Sequence, residues 1–300
     1  MNLNLRGALY IALGASSYGI LATFVKYANN QGIGTGGLVF SQYLVGVAVL
    51  LLLAFMEKKP ISVSPRKKDD SKLKLILFGT FLGLTSSFYY LSIQYVPVSV
   101  GIILLMQTIW MGVVVEFLIA RHLVSRSKVL GAGVTLLGTA LAAKIFETDI
   151  SFDWRGIGFG LLAAASYTGV MFATSKIALH LPLFQRSKYL VIGGLISIII
   201  FWNVEILSGT DIFVLIKWGV FLGIFGTILP PVLFSKGMPA VGTGLGSIIS
   251  ALEIPVSVFS AYLVLNEEIT FTQWLGIGII LFSVFLINRN NIRNSLPPNK

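Results

Sequence analysis

No cysteine occurs in the chain, so neither a disulfide nor a thiolate metal site can form. Charge is nearly as scarce: 11% of the 300 residues are charged, against about 25% in a soluble domain. No aspartate falls inside an apolar run, which removes a paired-aspartate intramembrane protease from consideration. The only two histidines, His122 and His180, lie near the ends of different apolar runs with no third ligand beside them, so no metal is expected. A phosphate-cradling loop ending in Gly-Lys-Ser/Thr is missing, as is a His-Glu-x-x-His pair. Neither a nucleotide nor any other cofactor is therefore expected, an enzyme is a poor reading, and work on a solute would draw on a gradient.

What the chain has instead is hydrophobic length. It is 55% hydrophobic, with a mean hydropathy of +0.87. Ten runs approach the roughly 20 residues that a spanning helix needs, at about 5–27, 36–56, 73–95, 98–120, 127–146, 155–178, 188–208, 213–235, 241–265 and 271–288. The first run is long enough to span and is expected to remain as a span, not to be cleaved as a leader. The longest connection, Glu57 to Lys72, is polar and holds Pro60 and Pro65, so it reads as a loop. The net charge of +10 does not point to nucleic acid, because the basic residues sit in short loops between spans. With the N-terminus inside, 18 of the 22 lysines and arginines fall at inside ends and four, Lys26, Lys144, Arg155 and Lys217, at outside ends. Positive charge favours the cytoplasmic side. The alternation predicts ten spans with both termini cytoplasmic, in a plasma membrane or bacterial inner membrane.

The second half repeats the first. Arg6-Gly7 opens a run containing Ala15-Ser16-Ser17-Tyr18, and Arg155-Gly156 opens another containing Ala164-Ala165-Ser166-Tyr167. Thr85 and Pro97 align with Thr227 and Pro239, and Gly131 matches Gly276 after a three-residue adjustment. Five spans per half force the halves into opposite orientations. The sequence thus predicts an all-α polytopic membrane protein of ten helices in two inverted five-helix repeats, residues 1–148 and 149–300. Such repeats build secondary transporters whose substrate site lies at the repeat interface near the bilayer midplane.

Span nine carries a family likeness. Pro239-Ala240, Leu252-Glu253-Ile254-Pro255-Val256, Leu265-Asn266-Glu267-Glu268-Ile269-Thr270 and Trp274-Leu275-Gly276 follow one another there. They are similar to a run of proline, a mid-helix Glu-Pro-x-Val patch and a leucine-rich stretch ending in Leu-Gly-Glu. With this length and helix count, the chain resembles the EamA-like branch of the drug/metabolite transporter superfamily. It departs from that pattern where Ile254 separates Glu253 from Pro255, where Asn266 replaces glycine, and where Arg121-His122 stands in place of an acidic ending. Leu104 to Thr108 sits where the first half often has a similar patch. The resemblance implies a central cavity lined mainly by spans 1, 3, 4, 6, 8 and 9. It also implies alternating access, and often the export of small solutes that range from amino acids to nucleotide sugars and drugs.

Two acids, Glu116 and Glu253, lie within spans. A charge at mid-bilayer costs about 2.5–3.5 kcal/mol on insertion scales, so it must face a cavity or a partner. Glu253, midway along span nine, could exchange a coupling proton or contact a substrate amine; equally, it could brace a bend at Pro255. Glu116 lies about one turn from Arg121, where snorkelling or pairing accounts for it. Pro255 is expected to kink span nine, and Pro230-Pro231 to break span eight. These breaks could expose carbonyls to a substrate or serve packing alone. Tyr18, Tyr90, Gln107, Trp110 and Tyr167 are the expected substrate-binding set, because aromatic rings with one polar tip suit a small amphipathic solute. Membrane tyrosines also form interfacial belts. Glycines at four-residue spacing, as in Gly79/Gly83, read as close helix packing. The expected function is secondary transport of small organic metabolites, with export of neutral or aromatic amino acids foremost. A flippase for lipid-linked substrates and a non-transporting structural or regulatory subunit are the alternatives. The expected partners are the solute, the bilayer and coupling protons.

Overall fold

The computed structural model describes residues 3–57, 71–96, 98–120, 125–143, 153–207, 212–266 and 268–294. Pro97, Arg121, His122, Lys144 and most of the loop after Glu57 lie outside the described residues. All regular structure among the described residues is helical. In chain order the helices are α1 (Leu3–Asn30), α2 (Thr35–Met56), α3 (Ser71–Tyr95), α4 (Val98–Leu105), α5 (Thr108–Ala120), α6 (Arg126–Ala142), α7 (Trp154–Lys176), α8 (Leu183–Leu207) and α9 (Ile212–Leu222). A π-helix (Gly223–Ile228) then leads into α10 (Leu229–Val241), α11 (Thr243–Ser250), α12 (Glu253–Leu265) and α13 (Phe271–Asn294). Among the described residues, eight helical stretches are long and apolar enough to cross a membrane, and Phe271–Leu286 is a shorter apolar helix. The outer surface is as apolar as the interior: Phe55 is 91% exposed while nearby Leu50 is fully buried. That surface suits hydrocarbon and not water.

Two stretches expected as continuous spans are broken near their middles. Between α4 and α5 the chain turns at Met106-Gln107, where the Gln107 amide bonds Leu104 O at 3.1 Å in place of the Ile103 carbonyl. The Gln107 side chain repairs the loss, donating from Nε2 to Ile103 O at 3.0 Å. Between α11 and α12 the turn falls at Ala251-Leu252. Here the amide of Ile254 takes the Ala251 carbonyl at 3.1 Å, the acceptor that Pro255 would have used had it an N–H. The break therefore precedes Pro255, which occupies the first turn of α12, where a missing donor costs nothing. In the register that pairs Gly131 with Gly276, Gln107 falls opposite Leu252, so the two breaks lie at matching sequence positions, although only one has a proline.

Pro230-Pro231 does not interrupt the helix. The chain rewinds through the π-helix, and the prolines enter the first turn of α10. Two missing donors leave carbonyls behind them short of partners, and Ser17 Oγ donates to one, Phe225 O, at 2.6 Å. Asn266 ends α12 in the left-handed conformation (φ 54°, ψ 33°), the role glycine usually fills and asparagine tolerates. Asp153 caps α7, accepting the Arg155 amide at 2.9 Å. The Arg155 guanidinium on the same carboxyl holds it below the usual carboxylate range.

Packing ties the two halves together. α3 lies against α7 and α8, while α10 lies against α1; α2 meets α8 and α9, α5 meets α11, and α6 meets α13. α1 also packs on α12, and α7 on α4 and α5. One apolar core gathers Ile11, Met106, Ile109, Met171, Phe234 and Met238. A second gathers Leu38, Tyr43, Leu50, Leu82, Val191 and Ile198. Tyr18 and Tyr89 pack against both, which marks the seam between them.

Candidate functional site

A cavity of about 70 Å³ opens at that seam. At roughly 10–15 Å³ per water it holds several waters. Helices from both halves line it: Tyr18 and Leu21 from α1, Leu82, Thr85, Ser86, Tyr89 and Tyr90 from α3, Leu105 from α4, Tyr167 from α7 and Glu253 from α12. The spacing on α3 is helical. Thr85, Ser86, Tyr89 and Tyr90 fall at i, i+1, i+4 and i+5, so one face carries two hydroxyls and, a turn later, two phenols.

The tyrosines of the two matched Ser-Tyr segments meet. Tyr18 and Tyr167 stand edge to face with centroids 6.0 Å apart and planes at 82°. Phe234 completes a triad, 6.0 Å from Tyr18 and 6.4 Å from Tyr167. Two members of this triad, Tyr18 and Tyr167, line the cavity, and the triad shares one core with the fully buried Ile11, Met171 and Met238. Arg186 of α8 is 4% exposed. It donates to Thr174 O of α7 at 2.6 Å and Ser235 O of α10 at 2.7 Å. One guanidinium thus joins two helices that contribute to the triad.

Glu253 is the carboxyl of the cavity. It is the first residue of α12, immediately after the break, and its Oε2 is buried without a hydrogen-bond partner. Tyr167 Oη is buried and unpartnered too. Gly19 places this carboxyl against α1: a Cβ at Gly19 would stand 2.9 Å from Val256 Cβ and 3.0 Å from the Ser257 amide. The close backbone approach of α1 to α12 thus depends on glycine beside Tyr18.

Of the residues that the sequence offers for a site, Tyr18, Tyr90, Tyr167 and Glu253 come together here. Gln107 and Trp110 do not. Trp110 is 43% exposed, and its Nε1 donates to Gln107 Oε1 at 2.9 Å. The pair secures the α4–α5 break from outside the cavity. Trp110→Ala is therefore expected to change substrate affinity less than about twofold, well under the ~1.4 kcal/mol that a tenfold change requires. A competition assay in reconstituted protein checks this, and a tenfold loss would place the ring in the site. Pro230, Pro231 and Pro255 shape the backbone around the cavity without lining it.

Glu116 has partners on two other helices, while Arg121 lies outside the described residues. It pairs with Lys128 Nζ of α6 at 2.5 Å and accepts the Gly244 amide, at the start of α11, at 3.0 Å. A carboxylate at a helix N-terminus satisfies an orphan donor and meets the positive end of the dipole. Glu116→Ala is expected to cost about 1 kcal/mol of stability, readable as a lowered Tm of purified protein. An unchanged Tm would mean that the cap contributes nothing.

The sequence also groups Tyr89 with Tyr90 among its polar and aromatic residues at comparable depth; it leaves out Thr85 and Ser86, although each stands four residues before one of those tyrosines. It also passed over Phe234, whose apolar side chain carries no signal within an apolar span.

The sequence model of the EamA-like transporter family matches the chain twice, over residues 5–144 and 154–289. An uncharacterized inner membrane transporter of Salmonella typhimurium, YicL, is 28% identical over 303 residues, which span 97% of each chain. A crystal structure with 13% sequence identity superposes with a TM-score of 0.74, covering 93% of this chain and 97% of its own, a likeness of fold alone.

Proposed function

Since the chain belongs to the EamA-like transporter family, we propose that it is a secondary transporter carrying a small organic solute through the tyrosine-lined cavity by alternating access. The observation that carries this reading is the cavity's position, with Tyr18 and Tyr167 brought edge to face from the two halves beside one carboxyl. A sealed structural subunit would have no use for such a space.

The arrangement is read as ten spans in two inverted five-helix repeats, residues 1–148 and 149–300. Support comes from the paired breaks at Gln107 and Leu252 and the two family matches. The exchanged packing of α3 on α7 and α10 on α1 points the same way. The protein is multi-pass and membrane-integral. With both termini in the cytoplasm of an inner membrane, the end of α8 that carries Arg186 faces the cytoplasm, and the Tyr18–Tyr167–Phe234 triad is read as the gate on that side. Inward opening then separates α7 from α10 and breaks the two Arg186 bonds. Glu253 is assigned the coupling proton or the polar end of the solute. The rings suit a flat apolar body, and aromatic or other neutral amino acids, moved outward, are the first class to try.

Counterflow in proteoliposomes tests the proposal. Purified protein with unlabelled solute inside is offered labelled neutral amino acids and their decarboxylated amines outside. Saturable, transient accumulation of at least one is expected. Folded, inserted protein that accumulates none of them would leave the transport reading without support.

A further inference from the structure

The polar groups of the cavity are uneven in kind. Among the described residues the lining holds one carboxyl, Glu253, four phenols and two small hydroxyls, and no lysine, arginine or histidine. We infer that this cavity selects a protonated organic amine with a flat apolar body and no carboxylate of its own; the inference rests on the transporter reading above and, within it, puts the decarboxylated amines ahead of the amino acids.

The chemistry of the unpartnered atoms leads there. Glu253 Oε2 and Tyr167 Oη are buried with no hydrogen-bond partner, and buried polar atoms seldom stay so. A carboxylate accepts only, and a phenol oxygen also accepts. An ammonium brings three donors and no acceptor, so it can serve both. Its positive charge is also attracted to ring faces. Tyr18, Tyr89, Tyr90 and Tyr167 line the same small cavity as the carboxyl, so a cation meeting Glu253 has rings within reach.

A zwitterionic amino acid brings the same ammonium and adds a carboxylate. In this cavity that second charge has no cation to meet and stands near Glu253, a like charge in a space largely shielded from water. The buried cation nearest in role, Arg186, does not line the cavity, and its two terminal guanidinium nitrogens donate to Ser235 O and Thr174 O. The carboxylate thus counts against the amino acid, while the aromatic body counts equally for both.

Equilibrium binding by titration calorimetry on purified wild-type protein decides between them. The probes are matched pairs: tryptamine against tryptophan, and 2-phenylethylamine against phenylalanine, at a pH where the amines are protonated. Each amine is expected to bind at least about tenfold more tightly than its amino acid. Indole-3-propionate, which keeps the carboxylate and lacks the amine, is expected to bind most weakly of the indoles. In Glu253→Gln the amine preference is expected to shrink to within about threefold. An amino acid that binds as tightly as its amine, or indole-3-propionate binding more tightly than tryptamine, overturns the inference. Should Glu253→Gln fail to fold, the wild-type comparison still decides. Counterflow reads the parent proposal separately. Amine preference without counterflow keeps the site chemistry and removes the transporter. Counterflow of amino acids without amine preference does the reverse.

Discussion

Glu253→Gln is expected to lower the rate of counterflow by about tenfold or more, a loss of at least ~1.4 kcal/mol, while the protein remains folded. The side chain keeps its size and one acceptor but loses its charge and its capacity to take up and release a proton. Among the described residues no other carboxyl lines the cavity, so neither solute binding nor coupling has a substitute group there. Glu116→Gln is the matched control. That carboxylate also lies within an apolar stretch, yet Lys128 and Gly244 engage it away from the cavity. Its neutralisation is expected to lower stability modestly and transport far less than the change at Glu253. Initial rates from proteoliposomes with equal amounts of inserted protein give the comparison. Equal rates for the two variants would deny Glu253 its special place.

The largest structural effect is expected at Gly79. α3 and α8 touch backbone to backbone there: a Cβ at Gly79 would stand 2.8 Å from the Leu190 carbonyl carbon and 2.9 Å from its Cα. From the other side, a Cβ at Gly193 would stand 2.8 Å from the Gly79 Cα. A flexible side chain can move away, but a helix backbone cannot. Overpacking ordinarily costs about 1–3 kcal/mol and occasionally more. Gly79→Leu forces the two helices apart along their length and belongs at or above the top of that range. The expected result is loss of the monodisperse folded protein on size-exclusion chromatography, or a Tm lowered by many degrees. Gly158→Ala in α7 is the contrast, because a Cβ there meets nothing within 4 Å. It is expected to be neutral or stabilising by up to about 1 kcal/mol. A Gly79→Leu protein as stable as Gly158→Ala would mean that the α3–α8 contact is not held by glycine.

Much of this architecture was legible because a helix in lipid must be long and apolar, and the chain has few other features to misread. The matched Ser-Tyr segments located Tyr18 and Tyr167, and the acidic residue in mid-span located Glu253. What stayed hidden has definite causes. Lipid is as apolar as the protein interior, so hydrophobic periodicity cannot say which face of a helix looks inward. Trp110 and Tyr18 are alike in composition terms, yet one is 43% exposed and the other lines the cavity. The break at Met106-Gln107 has no proline or glycine to announce it; it is a rewinding secured by a glutamine amide and a tryptophan. Pro255 did announce a break, but its missing donor is absorbed just upstream by the Ala251–Ile254 turn. At Pro230-Pro231 the cost fell on carbonyls and was met from α1 by Ser17, a partner more than two hundred residues earlier in the chain. Arg186 read as one more cytoplasmic cation, whereas its guanidinium is buried against two carbonyls.

The absence of cysteine makes the decisive measurement clean. Ser86 lines the cavity on α3, and Ser86→Cys introduces a single thiol. Counterflow by this variant in proteoliposomes is measured before and after treatment with a water-soluble maleimide, with and without solute present during labelling. If the solute passes through the seam between the two cores, labelling stops transport and the solute slows labelling. Full transport by protein shown to be completely labelled at that position would mean that the solute travels elsewhere.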